Sequence, residues 1–367
     1  MEIRGPKGFN RAYLILCLPL AIVLSRFFSF NSLLVENYYS RGLDRSIIQG
    51  LSAVTGIFPF SLAELAVILL LVFIVWQIFR MVITPAKRKE LGRDKSARFL
   101  INVLVLISLA YFIFTLLWGL NYYRLTFANI THMTVRPASK EELADLCESL
   151  IVQANQLRTI VDEDHDGVMH ITEGKEQVLN RASAGYLEAA DRYPQLGGKY
   201  GKAKGVLFSE TLSYMGLSGV YCPFTGEANV NMAIPDSMLP ATVCHEMAHQ
   251  RGFAREDEAN YIAYLTCKFN PDPGFQYSGI LLAVTNAMNM MRNVDAERYQ
   301  QLRKEYGTGL RNDLADISQY WAKHESFLER ISSQVNDGYL KSNGQTAGIY
   351  SYNQMVDLLL AERRAGK

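Results

Sequence analysis

Two histidines and a glutamate in the run HEMAHQRGFAREDEAN, residues 245–260, have the types and the spacing for metal chemistry. On a helix His245 and His249 lie one turn apart on the same face, so both imidazoles reach one zinc ion. Glu246 follows the first histidine, where its carboxylate takes the proton of a zinc-activated water as that water attacks a carbonyl. H-E-x-x-H also arises by chance in amphipathic helices, and here its neighbours narrow the reading. Asp236 and Ser237 are capping candidates, and Pro240 falls in a first turn. Gly252 can take the left-handed conformation that stops a helix and turns the chain back.

A third ligand is needed. The run resembles the metzincin pattern H-E-x-x-H-x-x-G-x-x-H up to Gly252, but the next ligand position holds Arg255, which cannot bind zinc. Glu256 can, and on the helical pattern EDEANYIAYL it shares a face with Asn260 one turn on. This pair resembles the E-x-x-x-D/N element of the glutamate-ligated zinc peptidases, in which the later residue supports a ligating histidine. The connection is shorter than in those families, since six residues separate His249 from Glu256. Asp257 and Glu258 are the rival ligands.

The elements that must position this motif begin with a membrane anchor. In the chain of 367 residues the apolar residues concentrate in the first third, at about 13–30, 58–83 and 100–120. Each run has about the length of a helix crossing a hydrocarbon core of roughly 30 Å, so three transmembrane helices are expected within an anchor of residues 1–123. The first run follows Arg4, Lys7 and Arg11 without a small-x-small cleavage site, which favours an anchor over a cleaved signal peptide. The basic segment PAKRKELGRDKSAR lies between the second and third runs and belongs in the cytoplasm by the positive-inside rule. The N-terminus is then cytoplasmic, and everything beyond Trp118, Tyr122 and Tyr123 is extracytoplasmic. The segment between the first two runs reads as lying along the outer membrane surface or as an ordinary connection. A net charge of +1 argues against a nucleic-acid partner.

Residues 124–367 read as an α+β, mainly helical domain. Ser139 and Glu142 form a capping box for a helix over 140–161, and a second helix is expected over 175–191. Between them, Asp162, Asp164, Asp166 and Glu173 match the calcium-loop pattern D-x-D-x-D-G-x₅-E. The pattern has no second copy, and a solvated acidic turn explains the same letters. Residues 219–224 and 228–233 alternate as a hairpin. Beyond it come a core helix at 279–291, a long helix at 310–335 and a C-terminal amphipathic helix. Tyr339, Tyr350, Tyr352 and His324 are candidates for stabilising an oxyanion. Cys244 and Cys267 read as buried thiols on the two motif helices.

The segments YSRG, TGIFPFS, WGLNYYR, HEMAHQRGFAREDEAN, YLKSNGQ and SYNQMVDLL together resemble a bacterial membrane-protein family of unknown function, numbered 3810. The resemblance implies a bacterial origin and a zincin-like fold, and it brings no substrate. The resulting expectation is a multi-pass protein of the bacterial cytoplasmic membrane. It is a zinc metallopeptidase, its partners being the lipid bilayer and a peptide or protein substrate of the cell envelope. A zinc amidase acting on cell-wall peptides and a non-catalytic zinc-binding module are the alternatives.

Overall fold

Helices that are apolar on every side have no face to turn to water, and three N-terminal helices are of this kind. The computed structural model describes residues 11–83, 89–343, 345, 348 and 354–366. Helix α1 (Cys17–Ser29), with the 3₁₀ turn before it, provides a membrane-length stretch at Ala12–Ser29. Two more lie at Leu62–Arg80 in α4 (Leu62–Ile83) and at Leu100–Leu117 in α5 (Lys89–Leu117). All three are long and apolar enough to cross a membrane. Helix α1 packs along α5, whereas no residue of α4 from Leu65 to Arg80 is buried. The expected boundaries shift in two places. The second stretch starts at Leu62, after the turn at Phe58–Ser61, and the third ends at Leu117, where a 3₁₀ turn over Gly119–Tyr123 redirects the chain. The basic segment is helical from Lys89 and continuous with α5.

The segment between α1 and α4 does not lie apart from the domain. After the short α2 (Ser32–Leu34) it runs as a π-helix over Val35–Asp44 and as α3 (Arg45–Thr55). It buries Glu36, Ser40, Asp44 and Ser52, and buried polar groups must be paired. Glu36 forms a two-pronged ion pair with Arg124 at 2.9 and 3.0 Å. Asp44 accepts from Asn121 at 3.1 Å, and Ser40 donates to the same asparagine at 2.7 Å. Farther along, Lys204 pairs with Glu227 at 2.6 Å, and Glu227 accepts the backbone N–H groups of Leu62 and Ala63. The start of α4 is thereby capped by a residue of the sheet.

The rest is mainly helical. Helices α6 (Phe127–Ile130), α7 (Lys140–Arg158), α8 (Lys175–Arg192) and α9 (Ser209–Tyr214) precede the motif, and the Ser139–Glu142 capping box opens α7 as expected. Strands β1 (Lys204–Gly205), β2 (Gly219–Cys222) and β3 (Glu227–Val230) form one sheet ordered β1-β3-β2. The predicted hairpin is its antiparallel β2–β3 pair, and β1 adds in parallel to β3. Helices α10 (Leu239–Gln250), α11 (Glu256–Phe269) and α12 (Pro273–Val294) pack in sequence, with α7 against α12 and α8 against α11. Every residue of α11 from Glu258 to Cys267 is buried, which makes this helix the centre of the core. Helix α13 (Ala296–Arg303) follows. The expected helix over 310–335 is two, α14 (Thr308–His324) and α15 (Phe327–Ser342), because the chain extends at Glu325 and Ser326 caps a new start by accepting from Glu329 N. Helix α16 (Met355–Arg364) ends the described chain near its C-terminus. All five cysteines are free, and Cys147, Cys244 and Cys267 are buried core residues.

Candidate metal centre

Helix α10 carries the motif, with Pro240 in its first turn, but neither predicted residue caps it. The N-cap position is Met238, because a turn from Pro235 to Met238 precedes the helix. Asp236 points elsewhere, to His170 Nδ1 at 3.0 Å and to Ile171 N at 2.8 Å. The end of α10 is as expected. Gly252 has φ +78°, its N–H reaches His249 O at 2.8 Å, and Phe253 N reaches Ala248 O at 3.2 Å. A Cβ at this position would also meet Asn121 Oδ1 and Asp44 Oδ2 at 3.1 Å. Arg124, held by Glu36, donates to Gly252 O at 2.9 Å and stacks 4.1 Å over the Phe253 ring. The turn between the two motif helices is therefore clamped by groups from the N-terminal third of the chain.

This turn brings the start of α11 against α10. Glu256 Oε2 lies 3.3 Å from His245 Nε2 and 3.5 Å from His249 Nε2. The other ring nitrogens are engaged: His245 Nδ1 is 2.8 Å from Asn260 Oδ1, and His249 Nδ1 is 2.7 Å from Phe253 O. Those acceptors hold a proton on each Nδ1 and turn each Nε2 toward Glu256. Two ligand atoms at about 2.0–2.1 Å from one tetrahedral zinc are about 3.3 Å apart, so the measured separations fit one ion. Apart from those two ring nitrogens, buried Glu256 Oε2 has no polar partner among the described residues, a further sign that a cation suits the site. Burial raises the Glu256 carboxyl, but the charges of His249 and His245 outweigh it and hold the group well below the carboxylate range. The rivals are committed elsewhere. Glu258 accepts from Phe127 N at 2.8 Å, and Asp257 faces Arg255.

Glu246 is buried beside His245, and burial pushes its carboxyl upward against the pull of His245 and His249. Its side chain fits there because residue 219 on β2 is glycine, where a Cβ would stand 2.5 Å from Glu246 Oε1. Both Glu246 and His245 line a cavity of about 460 Å³, together with Thr242, Asn260 and Asn286. Across His249 stands Trp118, ring centroids 5.6 Å apart. Trp118 Nε1 and Tyr122 OH both donate to Tyr339 OH at 2.9 Å. Burial pushes the Tyr339 hydroxyl up to about 12. Among the other oxyanion candidates, His324 is bound to Glu210 and Tyr320 O, while Tyr350 and Tyr352 lie outside the described residues. Sequence reasoning took Trp118 and Tyr122 for interface aromatics and missed their place beside the motif. Their signal was the close following of WGLNYYR on an apolar run.

The acidic loop is not gathered around one point. Asp162 accepts from Thr172 Oγ1 at 2.9 Å, and Glu173 pairs with Arg181 at 2.9 Å. Asp164 and Asp166, with His165, do lie within reach of one ion, all exposed. Asp164 Oδ1 already accepts the N–H groups of Asp166 and Val168.

No curated protein and no solved structure matches the chain. A family model described as "Protein of unknown function (DUF3810)" matches residues 39–360, from the segment between α1 and α4 through the clamped turn and the motif to α16. The chain that builds this His–His–Glu cluster thus belongs to the DUF3810 family.

Proposed function

We propose that the protein is a zinc metallopeptidase of zincin-like fold, anchored in the bacterial cytoplasmic membrane with its catalytic domain outside the cytoplasm. The observation that carries the reading is the convergence of His245 Nε2, His249 Nε2 and Glu256 Oε2 within 4.8 Å of one another, beside a cavity that also reaches Glu246. Zinc held by these three atoms supplies Lewis acidity and a water of lowered pKa. The chain's own part is proton transfer and orientation. Glu246, its carboxyl raised by burial, takes the proton of the attacking water and returns it to the nitrogen of the leaving amine. Asn260 and Phe253 O hold the two imidazoles in the ligating tautomer. Tyr339 accepts two hydrogen bonds, so its own proton is available to donate, which suits it, of the two described oxyanion candidates, to that role.

Three apolar helices and the lysine- and arginine-rich segment leading into and opening α5 support the membrane anchor and its orientation, with an envelope peptide or protein as substrate. The full-length protein, purified in detergent, should contain one zinc per chain and cleave a peptide library, with activity lost to a chelator and restored by zinc. Zinc without cleavage of peptides or of cell-wall peptides would point to a non-catalytic module. Reporter fusions after Lys367 should be active only outside the cytoplasm, and insertions beside Leu91 only inside; the reverse pattern would overturn the orientation.

A further inference from the structure

Helix α15 has two unlike faces. One, with Glu329, Ser332, Ser333 and Asn336, lines the cavity that reaches His245 and Glu246. The other carries Phe327, Leu328, Ile331 and Val335 at helical spacing, and all four are exposed, Phe327 by 68% and Val335 by 66%. Leaving such a stripe to water is unfavourable by about 25 cal/mol per Å², so an occupant is expected.

The two ends of α15 indicate which occupant. At its C-terminal end, Tyr339 contacts Phe114, Trp118 and Tyr122, where the membrane-length stretch of α5 finishes. Its N-terminal end is joined by Ser326 Oγ to Tyr214 O at 2.6 Å, on α9. The residues just before α9, Leu207 and Phe208, donate their N–H groups to Glu64 at 3.0 and 2.8 Å, in the first turn of α4. Leu207 and Phe208 are themselves exposed apolar side chains, as is Tyr214. One end of α15 is therefore tied to the C-terminal end of the membrane-length stretch of α5 and the other, through α9, to the N-terminal end of that of α4, and its apolar stripe is exposed as the side chains of those helices are. Arg330, exposed on the flank of the stripe, is suited to anionic headgroups.

We infer that α15 is an interfacial helix that seats Phe327, Leu328, Ile331 and Val335 in the outer-leaflet lipid, with Leu207 and Phe208 beside it. The wall between the cleft and the bilayer is then a single helix, polar toward the cleft and apolar toward lipid. The inference rests on the membrane insertion of α4 and α5 and is independent of whether the metal site is catalytic.

The test uses full-length protein in vesicles of phosphatidylethanolamine and phosphatidylglycerol, with Cys17 and Cys222 replaced by serine. Nitroxide labels are placed singly at Ile331→Cys, Val335→Cys, Gln334→Cys and, as a bilayer control, Val72→Cys on α4. Labels at 331 and 335 should show high accessibility to oxygen and low accessibility to a water-soluble nickel chelate, as at 72, with the label at 334 several-fold more accessible to nickel. Nickel-accessible labels at 331 and 335 with a lipid-exposed label at 72 would overturn the inference alone. Protection at 331 and 335 from both reagents would assign the stripe to a protein partner and overturn it too. An aqueous label at 72 would overturn the membrane reading together with this one.

Discussion

His245 Nδ1 lies 2.8 Å from Oδ1 of Asn260, a contact between the two motif helices that fixes the imidazole's orientation without touching Nε2. Support of this kind is worth about 10–100-fold in metal affinity. Asn260→Ala should therefore weaken zinc binding by that factor in a competition titration, and Asn260→Asp, which keeps the acceptor, should restore most of it. Unchanged affinity in Asn260→Ala would show that His245 is oriented by packing alone.

Glu256 is the carboxylate that meets both histidines, at 3.3 and 3.5 Å. Glu256→Ala should lose zinc as severely as His249→Ala, while Arg255→Ala and Asp257→Asn keep one zinc per chain by elemental analysis. Retention of metal in Glu256→Ala would remove this residue from the ligand set.

Glu246 stands beside the His245–His249–Glu256 cluster without joining it. Glu246→Gln preserves shape and removes basicity, so zinc content and melting temperature should stay near wild type. Peptide hydrolysis should fall by at least about 10²-fold, the scale of general acid–base catalysis. Equal cleavage by both forms would contradict the assigned role.

Asp44 offers a pH test away from the metal. Burial pushes its carboxyl up to about 7, against the pull of Asn121, Arg124 and Tyr39. Because the folded value lies above the unfolded one, the proton-linked stability is fully present below about pH 4 and is lost as pH rises through about 7. Asn at this position stays neutral, and Tyr39 OH, which donates to Leu116 O at 2.9 Å, can accept from its amide. Asp44→Asn should thus gain stability over wild type between pH 5 and pH 8, by on the order of 2–4 kcal/mol. A pH-independent difference in denaturant midpoints would show that Asp44 is ionised in the fold.

What was legible in the sequence is what local periodicity governs. His249 follows His245 by four positions, one helical turn, so their shared face needs no tertiary information. Three apolar runs of membrane length, the Ser139–Glu142 capping box and the left-handed Gly252 are local for the same reason. Local rules misread Asp236, which looks like a cap but is drawn to His170 and Ile171 across the fold. They also joined α14 to α15, since the break at Glu325 is an extended residue that helical periodicity does not detect. Only the tertiary structure decided between Glu256, Asp257 and Glu258, because adjacent helix positions point about 100° apart and the packing of α11 settles which one faces the histidines. The Arg124–Glu36 clamp on the Gly252 turn and the Trp118 ring against His249 likewise join residues far apart in the chain. Such contacts are set by how a buried charge finds its partner and how rings fill a core, and neither leaves a periodic trace in the sequence.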